Sequence, residues 1–199
     1  MINTPPFTLV YIHGFNSSPA SHKARQLQHW LDAEQPTVQY AIPSLSPFPL
    51  EAMAQLTAIV QNAPGRVGLI GSSLGGFYAA YLAERFQLPA VLINPAVRPF
   101  DTLSRYLGEN ENFYTQERYE LTQQHVDDLQ SLFVERPSRP QQLWLMVQTA
   151  DETLDYREAT THYRHSPAVI EYGGNHSFEA IERFFTPILA FLQTRQLSD

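Results

Sequence analysis

Six short apolar runs punctuate the chain: residues 8–13 (TLVYIH), 38–43 (VQYAIP), 67–71 (VGLIG), 90–94 (AVLIN), 143–148 (LWLMVQ) and 168–172 (AVIEY). Most are rich in Val, Ile, Leu and aromatic residues and have little internal polarity. Strands of a parallel sheet look this way when helices cover both faces. Between the runs, apolar residues recur at helical spacing: Ala24, Leu27 and Leu31 within 21–34, Met53, Leu56 and Val60 within 50–61, and Tyr78, Leu82 and Phe86 within 74–86. Residues 156–163 form a shorter helical candidate. Residues 177–193 form a longer one, through Ile181, Phe184, Phe185, Ile188 and Leu192. Pro187 inside that last stretch predicts a kink or break near it. The alternation predicts an α/β fold with a doubly wound, mainly parallel sheet of about six strands.

The segment at about 99–142 breaks this rhythm. It is polar, contains GENEN, offers one helix candidate at 116–132, and closes with two prolines in RPSRP. It reads as an excursion from a single domain spanning 1–199: a small lid, or a solvated helical insertion. With 43% hydrophobic and 17% charged residues the chain has an ordinary globular balance and room for one sizeable core.

The formal charge of −7 disfavours a phosphate-backbone partner, so no nucleic acid is expected. The absence of cysteine excludes disulfides, thiolate zinc sites and a cysteine nucleophile. The start, MINTPPFTLVYIHGF, lacks a basic region followed by a long apolar one, and no apolar run reaches the ~18 residues of a membrane span. A soluble, cytoplasmic protein without a membrane partner is the expectation.

The sharpest chemical signal is Gly71-Ser72-Ser73-Leu74-Gly75. It fits G-x-S-x-G, with an apolar strand candidate before it and an amphipathic helix candidate after it. A strand that turns abruptly into a helix exposes one side chain at the tip, and glycines two residues either side avoid Cβ clashes there. The register selects Ser73, because Ser72 has Ile70 and Leu74 at those positions. A serine hydroxyl needs a base, and the base needs an orienting carboxylate. His176, in a Gly173-Gly174 loop after the last strand candidate, is placed to be the base. His13 sits at the end of the first strand and orders its loop. His22, His29 and His125 fall on helical stretches, while His162 and His165 lack further ligands for a metal.

Three acids follow the 143–148 strand: Asp151, Glu152 and Asp155. Asp151 is favoured as the third member, since it comes directly after the strand and gives the chain order Ser…Asp…His. Asp155 is better explained as a helix N-cap. An acyl-transfer site also needs two N–H donors for the oxyanion. Leu74, next to the nucleophile, and Phe15, in the His13-Gly14-Phe15-Asn16 loop, are the candidates. Gly14, Asn16, Asn94 and Arg98 are candidates to line the substrate pocket, with a structural turn as the competing reading of 94–98.

These motifs together resemble the α/β-hydrolase superfamily and, more narrowly, a YqiA-like family of small bacterial esterases. The resemblance rests on YIHGFNSSPASHKA, GSSLGGFYAAYLAERF, INPAVRP, GENENFYT, QTADETLDY and GGNHSFE, and runs through nearly the whole chain. It implies a Ser73–His176–Asp151 triad, hydrolysis of acyl esters that extends to acyl-CoA thioesters, and no organic cofactor or metal. The chain is short for the superfamily, which implies no large cap. The partner expected is then a small-molecule acyl ester or thioester. The rival readings are a hydrolase of amide or C–C bonds and a catalytically silent binding module on the same fold.

Overall fold

The computed structural model describes residues 6–195. In chain order the elements are β1 (Phe7–Ile12), α1 (His22–Glu34), β2 (Gln39–Ala41), α2 (Pro49–Asn62), β3 (Arg66–Ser72), α3 (Leu74–Phe86) and β4 (Ala90–Ile93). There follow α4 (Pro99–Leu103), β5 (Gly108–Glu111), β6 (Arg118–Leu121), α5 (Gln123–Ser131), β7 (Leu143–Gln148), α6 (Tyr156–His162), β8 (Ala168–Glu171) and α7 (Phe185–Thr194). Each of the six apolar runs forms a strand of one sheet with order β2-β1-β3-β4-β7-β8, and every neighbouring pair is parallel.

The uninterrupted apolarity of the central strands follows from burial on both faces. Val10, Ile12, Leu69, Leu92, Leu145 and Val147 face a core shared with α2, α3, α5 and α6. Leu9, Tyr11, Ile70, Val91, Ile93 and Met146 face another formed with α1 and α7. Of the six strands of this sheet, the edge strands β2 and β8 alone have no fully buried residue. Pairing Ile12 with Gly71 sets the ends of β1 and β3 side by side. Because β2 lies outside β1 while β3 lies inside it, the strand order reverses there. A crevice opens at the carboxyl ends of the two strands at such a reversal.

Two expectations need correction. Residues 116–132 are not one helix. Arg118–Leu121 alternates exposed and buried residues and pairs antiparallel with β5, because Tyr119 and Leu121 recur with a period of two. The helix starts only at Gln123, after a capping box in which Thr122 and His125 bond reciprocally. Nor is 177–193 one continuous helix: the break expected near Pro187 falls two residues before it, where α7 starts. A 3-10 turn (Ile181–Phe184) comes first, and Pro187 is the third residue of α7. The first four N–H groups of a helix have no partner within it, so a proline is tolerated there.

Gly68 lies where α7 crosses β3. A Cβ there would stand 2.8 Å from Phe7 Cζ and 2.9 Å from Leu192 Cβ. Gly68→Ala is therefore expected to lose about 1–3 kcal/mol of stability through overpacking. A urea titration should show a lower midpoint with an unchanged slope.

Candidate active site

The elbow forms where β3 turns into α3. Ser73 stands between them with φ 56° and ψ −122°, a conformation costing an L-residue about 1–3 kcal/mol. The surroundings over-determine it. Its N–H donates to Ile93 O at 3.0 Å, and its carbonyl accepts the N–H groups of Gly76 at 2.9 Å and Ala96 at 3.1 Å. A Cβ on Gly75 would run into the Ile12 and His13 carbonyls, so no other residue fits against β1 there.

Ser73 Oγ lies 3.0 Å from His176 Nε2, and His176 Nδ1 lies 2.8 and 2.9 Å from the two Asp151 oxygens. With Nδ1–H donating to the carboxylate, Nε2 carries the lone pair and accepts the serine hydroxyl. Burial by itself raises the Asp151 carboxyl. The His176 hydrogen bond, with those from the Leu154 and Thr153 amides at 2.8 Å, outweighs it and holds the group below the usual carboxylate range.

The three competing acids have three distinct jobs. Asp151 meets the imidazole. Glu152 accepts the backbone N–H of His176 at 2.9 Å. Asp155 caps α6 through the Arg157 N–H at 3.0 Å, and its pairing with the Arg157 guanidinium pushes its carboxyl down to about 2.

Two buried amides hold the histidine loop. Asn94, a pocket candidate from the sequence, is 2% exposed and is engaged beneath the site. Its Nδ2 donates at 3.0 Å to both the Asn175 and His176 carbonyls, and its Oδ1 accepts the Gln148 N–H at 3.0 Å. Gln148, which the sequence reading passed over, uses Oε1 to accept the N–H groups of Asn175 (3.1 Å) and Glu179 (2.8 Å). Its Nε2 donates to Glu171 Oε2 at 3.0 Å and to Glu179 O at 3.1 Å. A lone polar residue at the end of the apolar LWLMVQ run is the signal that marks it. Arg98 is not brought to Ser73 either. It pairs with Asp101 at 2.6 Å and borders a groove of about 840 Å³ beside α6, whose lining does not include Ser73, Asp151 or His176.

The loop after β1 covers Ser73. A Cβ on Gly14 would stand 3.1 Å from Ser73 Cβ. The Phe15 and Leu74 amides meet no acceptor among the described residues. His13 orders this loop. Nδ1–H donates to Gly14 O at 3.0 Å while Nε2 accepts the Leu45 N–H at 3.3 Å, and burial lowers its pKa, which favours the neutral ring. Asn16, with φ 49°, accepts the Tyr119 hydroxyl through Oδ1. Two pits adjoin Phe15 and Leu74, of about 10 Å³ and 30 Å³, walled partly by residues of the excursion such as Leu103, Leu121 and Tyr119. Each has room for about one to three waters.

Lys23, the chain's one lysine, is in the first turn of α1. Burial pushes its ammonium down to about 8, against the pull of the Asp151 carboxylate. Among the described residues no group of three or more His, Asp or Glu is placed to hold a metal ion. His162 instead bonds Val134 O at 3.0 Å. No described helix is long and apolar enough to cross a membrane.

A family model described as Uncharacterised protein family (UPF0227) matches residues 8–193. A relative from Pectobacterium atrosepticum, UPF0227 protein ECA1814, is 25% identical over 187 residues, covering 92% of this chain and 97% of that protein. Among solved structures, the mouse alpha/beta hydrolase domain-containing protein 10 superposes with TM-score 0.73 at 15% identity, over 96% of this chain and 90% of that one. The Paleococcus ferrophilus monoacylglycerol lipase does so with TM-score 0.68 at 16% identity, over 94% of each chain. The architecture is the α/β-hydrolase fold.

Gln148→Leu keeps the bulk but strands the Asn175 and Glu179 amides, and is expected to lower stability by about 1–3 kcal/mol, read from chemical denaturation. A carboxyl titrating lower in the folded state contributes stability that is complete above its unfolded value and is lost as the pH falls through the folded one. The stability difference between wild type and Asp151→Asn is accordingly expected to narrow below about pH 4, measured by urea titrations across the acid range.

Proposed function

The chain belongs to the UPF0227 family, and from its geometry at Ser73 we propose that it is a serine hydrolase cleaving carboxylic esters through a covalent acyl-enzyme. The observation that carries this is the continuous relay from Ser73 Oγ through His176 to Asp151, with hydrogen bonds of 3.0 and 2.8 Å. In the first step His176 Nε2 takes the Ser73 proton as Oγ attacks the acyl carbonyl. The developing oxyanion is received by the Phe15 and Leu74 amides, and Asp151 stabilises the imidazolium. His176 then returns the proton to the departing alkoxide. Water, deprotonated by the same nitrogen, releases the acid and restores Ser73. Thioesters fall within the same chemistry, with a thiolate leaving in place of the alkoxide. The name of the Paleococcus structural neighbour, a monoacylglycerol lipase, supports ester cleavage as chemistry this fold performs.

The pits beside the two amides, about 10 Å³ and 30 Å³, favour short acyl groups over long ones. A site assembled as fully as this one also speaks against a silent binding module, which has no need of an aligned base.

Ser73→Ala is expected to lower hydrolysis of p-nitrophenyl acetate by about 10⁴-fold or more and to abolish labelling by a fluorophosphonate. The wild type is expected to give a higher kcat/KM on the acetate ester than on the octanoate. Undiminished turnover by Ser73→Ala would remove Ser73 as nucleophile. Slow turnover of the ester beside fast cleavage of an amide or a C–C bond would reassign the reaction.

A further inference from the structure

The excursion contributes a β-hairpin, β5–β6, that does not hang free over the site. Three consecutive residues of the loop after β1 are each held by a different residue of the stretch 106–119. The Phe15 ring meets the Tyr106 ring edge-on, with centroids 5.4 Å apart. Asn16 Oδ1 accepts the hydroxyl of Tyr119. The carbonyl of Ser17 accepts Nδ2 of Asn112 at 3.0 Å.

Asn16 is a non-glycine residue at φ 49°, so the loop holds a conformation it would not favour unaided. The hairpin that grips it is itself stiffened. Asn112 Oδ1 accepts the Tyr114 and Thr115 amides at 2.9 and 3.1 Å, closing the hairpin turn with the side chain that reaches Ser17. Tyr119 is 8% exposed and packs edge-on against Phe48 at 6.2 Å. Burial raises its phenol to about 12, which leaves the hydroxyl protonated and donating at neutral pH.

The loop so gripped is the one carrying the Phe15 amide. We propose that Tyr119 and Asn112 are positioning residues for the oxyanion hole: by fixing Asn16 and Ser17 from the excursion, they hold the Phe15 N–H in register with that of Leu74. This deepens the esterase reading and rests on it. An amide misplaced by a fraction of an ångström loses most where charge is greatest, in the tetrahedral intermediate, and little in ground-state binding. The expected signature is therefore a fall in kcat without a matching rise in KM.

Two mild variants separate the contacts. Tyr119→Phe removes only the hydroxyl. Asn112→Asp keeps the acceptor that closes the turn and removes the donor to Ser17. With p-nitrophenyl acetate, each is expected to lower kcat about tenfold, a fraction of the cost of deleting an oxyanion donor outright. KM is expected to stay within about twofold. Affinity for an arylboronic acid, which becomes a tetrahedral anion on a serine, should fall in step with kcat. A lower unfolding midpoint with kcat and boronate affinity near wild type would show that the contacts only stabilise the hairpin, and would overturn the proposal. A rise in KM alone would overturn it as well. Wild-type protein without Ser73-dependent turnover would overturn the esterase reading and this one together, whereas Ser73-dependent turnover with unaffected variants would overturn this one alone.

Discussion

The site depends on one strained turn. Ser73 is held at φ 56° by a backbone bond to Ile93 and by the amides of Gly76, Phe77 and Ala96 on its carbonyl, and α3 can begin at that point because Gly75 lets it ride against the end of β1. The cost of the turn, about 1–3 kcal/mol, is met by the burial of β3, β4 and α3 around it. Placing this turn next to β1 in the sheet puts Ser73 and the loop after β1 side by side at the crevice where the strand order reverses. The same topology brings the β7 and β8 ends, with Asp151 and the His176 loop, along the same edge of the sheet.

The polar groups beneath the site are arranged to leave the backbone of the histidine loop no freedom. Such a loop, after an edge strand and with two glycines, is mobile by composition. Asn94 and Gln148, both nearly fully buried, convert it into a fixed platform through six hydrogen bonds to residues 171–179. In a low-dielectric interior these bonds are strong when made and expensive when lost. That is why two buried amides set the imidazole's position more firmly than surface ion pairs could.

What was legible in the sequence follows from range. The strands were legible because burial on both faces leaves an uninterrupted apolar run, and the elbow because its glycines are local consequences of one turn. The choice of Asp151 came from its place directly after β7, and the structure brings that residue to His176. The hairpin was not legible. Its β6 is four residues long, and its period of two in RYEL is short enough to merge into the helical pattern that follows. Asn94 was left between pocket and structural turn, and Gln148 missed, for a different reason: their partners lie between 23 and 82 residues away, and nothing local announces an amide that bonds across the sheet. Asn16 was placed near the pocket on local grounds and does line the pit beside Phe15 and Leu74, but nothing local announced that its side chain is also held by Tyr119 of the excursion.

The excursion therefore has two ties to the centre of the molecule. Leu121, Val126 and Leu129 bury themselves in or beside the core that also holds Leu74 and Tyr78, and its hairpin grips the loop after β1. A segment bound only at its rim could swing open at little cost. One that shares a core with α3 and also holds Asn16 and Ser17 cannot move far without disturbing the loop beside Ser73. Among the described residues, pocket closure and site assembly thus fall to the same forty or so residues. In the proposed acyl transfer, any acyl group large enough to displace their apolar face from the pits at Phe15 and Leu74 would act against the geometry proposed to receive its oxyanion. Size selection would then be expressed in the chemical step as well as in binding, because the side chains that limit space and those that align the amide belong to one packed unit.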